Sequence, residues 1–310
     1  MVNLAVFQQL GLTFIERGWL SSNNVMFRAA RNSPATVIDT GYDAHSEQTT
    51  SLLLAQLGDE PLERVLNTHL HSDHCGGNAD LQMRLGCEIW VPEASVDAVA
   101  AWDESRLSFH ATDQRCRRFT SQRGLRPGER LLIGTHYWDV VAAQGHDPDA
   151  LMFHQRDSGV LITADALWQD RLAIIFPELV GAPGFAAARG TLRTIEKLDP
   201  SIVIPGHGRP FADVAAALHK SRQRIEQFER EPAKHFAYAE RALTMFHMLE
   251  HRHRTEAQLV HWLTETPIFR ELRGRLTTES RPTIDRAACV IDRLVKDGLL
   301  ARINAEILMA

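Results

Sequence analysis

The sequence predicts an α/β fold followed by a small, mostly helical C-terminal domain. Three observations predict it. Apolar runs with strand character alternate with helix-forming stretches up to about residue 211. From there to about residue 297 the pattern is almost entirely helical. The His- and Asp-bearing segments each follow a short apolar run, where sites in α/β proteins gather. At 310 residues the chain is long for one core and comfortable for two. The change of pattern sets a boundary near 212–232 on a long connecting helix, so 1–222 is taken as the first domain and 223–310 as the second.

The elements follow in order. Residues 11–40 alternate apolar and polar positions with a break at Arg31-Asn32-Ser33-Pro34, which reads as paired strands ending at Val37-Ile38-Asp39. Leu52, Leu53, Leu54 and Leu57 suit a helix over 46–57, stopped at Gly58. Val65-Leu66 is a brief strand running into the polar segment Asn67 to Asn78. A helix over 79–85, a strand over 88–91 and a helix over 93–102 come next. The Arg-rich stretch 105–128 reads as a solvated surface segment. Strands return at 131–133, 137–143, 150–155 and 159–163. A helix over 185–198 and a strand over 201–204 close the first domain. The C-terminal part reads as helices over 236–252, 255–264 and 283–297, with a polar connection before the last helix and a strand over 299–303 after it.

Composition narrows the function classes. Apolar residues at 44% and charged residues at 24% are ordinary for a globular protein. A net charge of −5 excludes a globally basic nucleic-acid binder, though not a local basic groove. No stretch approaches the ~20 apolar residues that span a bilayer, so no membrane partner is expected. MVNLAVFQQLGLTF lacks a basic leader, and the expected location is cytoplasmic. Cys75, Cys87, Cys116 and Cys289 form no C-x-x-C pair and read as isolated reduced thiols. Cys75, next to a candidate ligand, is expected to be the most oxidation-sensitive.

The chemistry concentrates in His69-Leu70-His71-Ser72-Asp73-His74. Histidine is 15 of 310 residues, and H-x-H-x-D-H arises by chance in such a chain with probability of roughly two in a thousand. Imidazole and carboxylate are the usual non-thiolate ligands of zinc and its neighbours. Four of them within six residues cannot all reach one ion. Alternation on an extended loop lets His69 and His71 face one ion, and Asp73 and His74 another. Gly76-Gly77 is expected to let the backbone turn sharply. Two ions need more donors, and His146, Asp165 and His207 each stand just past an apolar strand.

This set, with His207 in Pro205-Gly206-His207-Gly208, resembles the metallo-β-lactamase superfamily over residues 1 to about 211. The resemblance implies an αββα sandwich. It assigns His69, His71 and His146 to one metal, Asp73, His74 and His207 to a second, and Asp165 to both. It makes Asp39 the acid that orients a ligand histidine. The two divalent ions are expected to be zinc, with iron or manganese as alternatives. The chain departs from the family at Asp147-Pro148-Asp149-Ala150, where many relatives read Thr-Pro-Gly-His. The reading favoured for Asp147 and Asp149 is a capped turn.

The implied activity is hydrolysis of a small-molecule thioester, lactone or ester by a metal-bound hydroxide, with Asp73 also catalytic through the proton it holds. Residues 166–185, with Trp168, Phe176 and Phe185, line an apolar substrate pocket or simply pack on the fold. Residues 286–300 resemble the last helix and wing of a winged-helix domain, an appendage some superfamily ribonucleases carry. A phosphodiesterase or ribonuclease is therefore the second reading. A sulfur dioxygenase with a single iron is the third, and a non-enzymatic metal-site regulator the fourth. From 233 to 310, 12 Lys and Arg face 10 Asp and Glu, too balanced for a groove-reading helix. A cap on the catalytic domain or a homodimer contact is preferred to nucleic-acid binding.

Overall fold

The computed structural model describes residues 5–275 and 283–310. Helix α1 (Ala5–Gln9) leads into a six-stranded sheet of β1 (Leu12–Ile15), β2 (Asn24–Phe27), β3 (Thr36–Ile38), β4 (Arg64–Leu66), β5 (Glu88–Pro92) and β6 (Arg123–Leu125), neighbours in that order. The first three strands pair antiparallel and β3 to β6 parallel. Between them run α2 (Ser46–Leu57), α3 (Ser72–Cys75), α4 (Asn78–Leu85), α5 (Val96–Ala101) and α6 (Phe109–Thr112). A five-stranded sheet, ordered β11-β10-β9-β8-β7, holds β7 (Arg130–Ile133), β8 (His136–Ala142), β9 (Leu151–Gln155), β10 (Val160–Ala164) and β11 (Ile202–Pro205). Helices α7 (Phe176–Leu179), α8 (Gly184–Leu198) and α9 (Val214–Arg230) accompany it.

Strand alternation builds the layers. Ile38, Leu66, Ile162 and Ile204 meet in a core between the two sheets, around Phe27, Trp138 and Phe153. Their chain neighbours Val37 and Val65 point the other way, against Leu53, Leu57 and Leu81 of α2 and α4. Leu161 and Val203 do the same against Leu192 and Ile195 of α8 and Leu218 of α9. With a side-chain period of two, strands buried on both faces must sit inside four layers. The result is the expected αββα sandwich. Among the described residues no helix is long and apolar enough to cross a membrane.

Three local expectations are corrected. The 105–128 stretch is not simply solvated: Leu107, Phe109 and Phe119 are buried, and Arg117 binds Asp43 and Asp80 at 2.6 and 2.8 Å. A few apolar anchors among many arginines give no readable period. The polar connection after 264 is largely a helix, and its remainder, 276–282, lies outside the described residues. After α10 (Pro232–His251) the chain forms β12 (His253–Thr255), α11 (Glu256–Glu265), α12 (Pro267–Arg275), α13 (Thr283–Lys296), β13 (Leu300–Ile303) and β14 (Glu306–Met309). Helix α12 buries Ile268, Phe269 and Leu272. The single C-terminal strand is one of three, ordered β12-β14-β13. The other two are too short and mixed in polarity to read from sequence.

The C-terminal helices share a core with Ile174 and Leu179 of the loop after β10. Two buried histidines sit in this region. Burial pushes His235 down to about 4. It pushes His247, which also faces His251 and Arg254, down to about 3. Both stay neutral in the folded protein, whereas the unfolded chain protonates near pH 6.5. The unfolded state therefore binds more protons below that pH, so this stability is complete above about pH 6.5 and declines as pH falls towards 4. Urea midpoints are expected to drop between pH 7 and pH 5. His247→Phe is expected to remove about 1–2 kcal/mol of that drop. A variant that loses stability on acidification as steeply as the natural chain would contradict this account.

Candidate metal centre

Five connections at one end of the sandwich bring the site together. Asp39 follows β3, His69 to His74 follow β4, His146 follows β8, Asp165 follows β10 and His207 follows β11. The 69–74 segment is extended at His71 and then coils into α3. This separates His69 and His71 from Asp73 and His74, as the alternation argument requires. Gly76 and Gly77 do not serve as a sharp turn, because both have ordinary helical backbone. They serve close approach: a Cβ would lie 2.3 Å from Asp43 N at Gly76 and 2.5 Å from Thr40 O at Gly77. Gly206 is needed similarly, since its Cβ would lie 2.2 Å from Asp165 Oδ1. Asp39 and Ala164 adopt positive φ, 57° and 45°, a local strain that directs the site's side chains inward.

All seven sequence-selected residues converge. One donor atom each from His69, His71 and His146 lies within 4.8 Å of the others, and so does one each from Asp73, His74, Asp165 and His207. Asp165 stands between the groups: its Oδ2 is 3.5 Å from His146 Nε2 and its Oδ1 3.4 Å from His74 Nε2. His71 Nδ1 and His146 Nε2 approach to 2.7 Å, and Asp73 Oδ2 is 3.1 Å from His207 Nε2.

The opposite ring nitrogens are held by the protein. His74 Nδ1 donates to Asp39 Oδ2 at 2.7 Å, and Asp39 also accepts from Thr68 N and Thr68 Oγ1. His146 Nδ1 donates to Ile174 O at 2.6 Å. His69 Nδ1 lies 3.1 Å from Thr68 Oγ1. Asp147 caps its turn as expected, accepting from Asp149 N at 2.7 Å, and its other oxygen also lies 3.5 Å from His71 Nε2. With their outer nitrogens held, His69 Nε2 and His74 Nε2 are left buried without a hydrogen-bond partner. Such orphans call for a cation.

The electrostatics of the His69, His71 and His146 group and of Asp165 agree. Burial, then the neighbouring histidines, holds His69 well below its usual range and His71 at about 3, and burial lowers His146. These three are neutral at neutral pH, the form that ligates metal. Burial works against ionised Asp165, but His74, His207 and His146 outweigh it and hold the carboxyl well below the usual range. His74 is held well above its usual range because Asp165 and Asp39 outweigh its burial. Burial likewise pushes Asp147 up to about 7. The Cys75 expectation fails: the thiol is fully buried, its pKa raised first by burial and then by Cys116 3.7 Å away, which suppresses the reactive thiolate.

A cavity of about 640 Å³ opens over both groups. The loop 166–185 divides between its two expected roles. Trp168, Leu172, Ile174 and Phe176 line the cavity, whereas Phe185 packs in the α8–α9 core. Trp168 Nε1 donates to Asp165 Oδ1 at 3.2 Å. Sequence reasoning missed Trp19, whose ring stacks on His207 at 5.3 Å, because nothing near it in sequence carries a motif. It also missed Asn67 and Asn78, which bond each other and, with Thr40, hold the backbone at His74.

Comparison with known proteins agrees with this geometry. Residues 17–207 match the family described as the metallo-beta-lactamase superfamily. A hydroxyacylglutathione hydrolase from Marinomonas sp. (strain MWYL1) is 28% identical over 109 residues, 35% of this chain and 34% of that protein. The chain therefore spans about a third of that relative's length. A probable metallo-hydrolase from Bacillus subtilis (strain 168) is 25% identical over 250 residues, covering 67% of this chain and 75% of that protein. A beta-lactamase domain protein from Burkholderia ambifaria superposes with a TM-score of 0.58 at 21% identity, covering 96% of this chain and 92% of that one. A metallo-beta-lactamase family protein from Thermus thermophilus gives 0.56 at 19% identity, covering 97% and 99%. At these identities the superpositions speak to fold alone.

Asp39 offers a direct test of the site. Asp39→Asn keeps the side-chain shape but removes the charge that fixes the His74 ring. A ten- to hundredfold loss of affinity for an added divalent ion is expected, read by competition with a chromogenic chelator. Unchanged affinity would show that the Asp39–His74 bond does not support ligation.

Proposed function

This chain belongs to the metallo-beta-lactamase superfamily, and from that premise we propose that it is a two-metal hydrolase of a thioester, lactone or ester. Relatives named as hydrolases support the reaction class. The observation that carries the reading is the pair of donor groups meeting at Asp165 beneath one cavity. His69, His71 and His146 would hold one ion, Asp73, His74 and His207 the other, and Asp165 both. Imidazole and carboxylate donors suit zinc, with iron or manganese as alternatives. When bound, such ions acidify water and polarise a substrate carbonyl.

The chain's own residues supply the rest. Asp73 lines the cavity and engages His207 through Oδ2. Its other oxygen would hold the attacking water by hydrogen bond and help return a proton to the leaving group. Trp19 and Trp168 pack on His207 and keep bulk water from that side of the centre. Residues 223–310 are read as a winged-helix-like cap on a catalytic domain of residues 1–222. The helix, strand, three helices and hairpin from α10 to β14 support that reading. The nuclease alternative ranks below. Arg293 pairs with Asp297, Arg286 with Glu240, and Arg302 with Glu256 and Asp292. These cations are neutralised within the chain and offer little to a phosphate backbone.

Elemental analysis is expected to find about two divalent ions per chain. A panel of thioesters, lactones and esters is expected to show turnover that a chelator abolishes. Two ions with no turnover on any member would overturn the reading. Asp73→Ala is expected to lower kcat at least a hundredfold, and full activity at full metal content would remove Asp73 from the mechanism.

A further inference from the structure

The cavity over the metal centre continues beneath the C-terminal segment. Its far wall is apolar, built from Met245, Phe246 and Leu249 of α10, Leu294 of α13, Leu299 and Met309. None of these side chains belongs to the donor groups. A volume of about 640 Å³ is that of a pocket for a ligand far larger than a reacting carbonyl alone.

The near side has the opposite character. A second cavity, about 580 Å³, adjoins the first, and Arg171, Leu172 and Arg224 line both. Other cations of the second cavity are paired: Lys220 with Asp170 at 2.6 Å and Arg230 with Glu226 at 3.2 Å. Among the described residues, Arg171 and Arg224 have no carboxylate within ion-pair range. Arg171 instead lies over the ring of Trp19 at 5.2 Å, and Trp19 lies flat on His207. Arg224 lies 5.9 Å from the ring centroid of Phe228 and donates from Nη1 to Gln227 Oε1 at 3.4 Å, a neutral partner that leaves its charge uncompensated and its remaining N–H groups open. Packing a guanidinium on a ring occupies its face and leaves the in-plane N–H groups free for an anion. The Tyr238 hydroxyl donates to Leu172 O and braces the neck between the cavities. The centre is thus flanked by an apolar lobe on one side and two available guanidiniums on the other.

We propose that the substrate is an amphiphile: an apolar acyl chain joined through a thioester to a phosphate-bearing thiol. The acyl chain occupies the lobe under α10 and α13, the carbonyl sits at the metal centre, and the phosphates lie on Arg171 and Arg224. Water adds to the carbonyl carbon, the C–S bond breaks and the departing thiolate takes a proton. The products are a carboxylic acid and a free thiol, with no change of oxidation state. This substrate class rests on the hydrolase reading and narrows it.

The test is calorimetric titration of the metal-loaded, full-length protein with three non-hydrolysable thioethers. These are decyl coenzyme A, decyl N-acetylcysteamine, which keeps the chain without the phosphates, and methyl coenzyme A, which keeps the phosphates without the chain. Decyl coenzyme A is expected to bind at least tenfold more tightly than either of the others. Arg171→Gln with Arg224→Gln is expected to abolish its advantage over the neutral decyl compound while leaving that compound's Kd unchanged. Leu249→Gln, or Phe246→Ala if the first misfolds, is expected to abolish its advantage over the methyl compound. Equal affinity for decyl coenzyme A and either comparison compound overturns the proposal. Turnover of decanoyl thioesters without these affinity gaps overturns the substrate class and leaves the hydrolase standing. The gaps without turnover leave the ligand class standing and overturn the thioester reaction.

Discussion

Two buried imidazole nitrogens without a partner, His69 Nε2 and His74 Nε2, set the terms for this structure. An unsatisfied buried polar group costs about 1–3 kcal/mol. Here the cost falls beside Asp165, which is also buried. The arrangement is stable as a cation site and poor as a core. Much of the surrounding structure keeps these atoms aimed at one another. Asp39, Thr68 and the Ile174 carbonyl hold the far sides of the rings, and Gly76, Gly77 and Gly206 let neighbouring backbone approach where a Cβ would collide.

The sandwich explains why the donors can come from distant parts of the chain. Four of the five strands next to the site, β3, β4, β10 and β11, are buried on both faces, which fixes their register, since a slip of one residue would exchange inward and outward side chains. A rigid strand end is therefore a reliable platform for the residue that follows it. The same logic ties the C-terminal segment to the centre. His235 and Tyr238 of α10 hold the backbone of Ile175 and Leu172. Between them lies Ile174, whose carbonyl orients His146. The helices that wall the cavity thus also brace the loop behind one of the proposed ligands.

Most of the site was legible because its signal is local. His69 to His74 carries four donors in six residues, and His146, Asp165 and His207 each follow an apolar run whose end is easy to read. The regular elements were legible for a related reason: α2 fills 46–57 and ends at Gly58 as the leucine spacing and glycine stop require. What escaped has no local signal. Trp19 stands far along the chain from the His207 it covers, and α12 hides three buried apolar residues in a segment rich in arginine. The glycines after His74 are conspicuous in sequence, but their reason is not, because close approach depends on Asp43 and Thr40, which belong to another part of the fold.

The sequence by itself determined the α/β class with its helical C-terminal part, the candidate donors and the strand ends that carry them, because strand period, glycine and proline punctuation and ligand chemistry all act over a few residues; the four-layer arrangement entered only through the family resemblance. The resemblance anticipated which donors share a group and the place of Asp165 between them; only the tertiary structure decided how their rings are held and what surrounds the cavity. Those outcomes depend on packing between segments far apart in the chain. An apolar residue of α10 has the same pattern whether it faces a protein core or a ligand, and an arginine looks the same in sequence whether a carboxylate neutralises it or an aromatic ring leaves its N–H groups free.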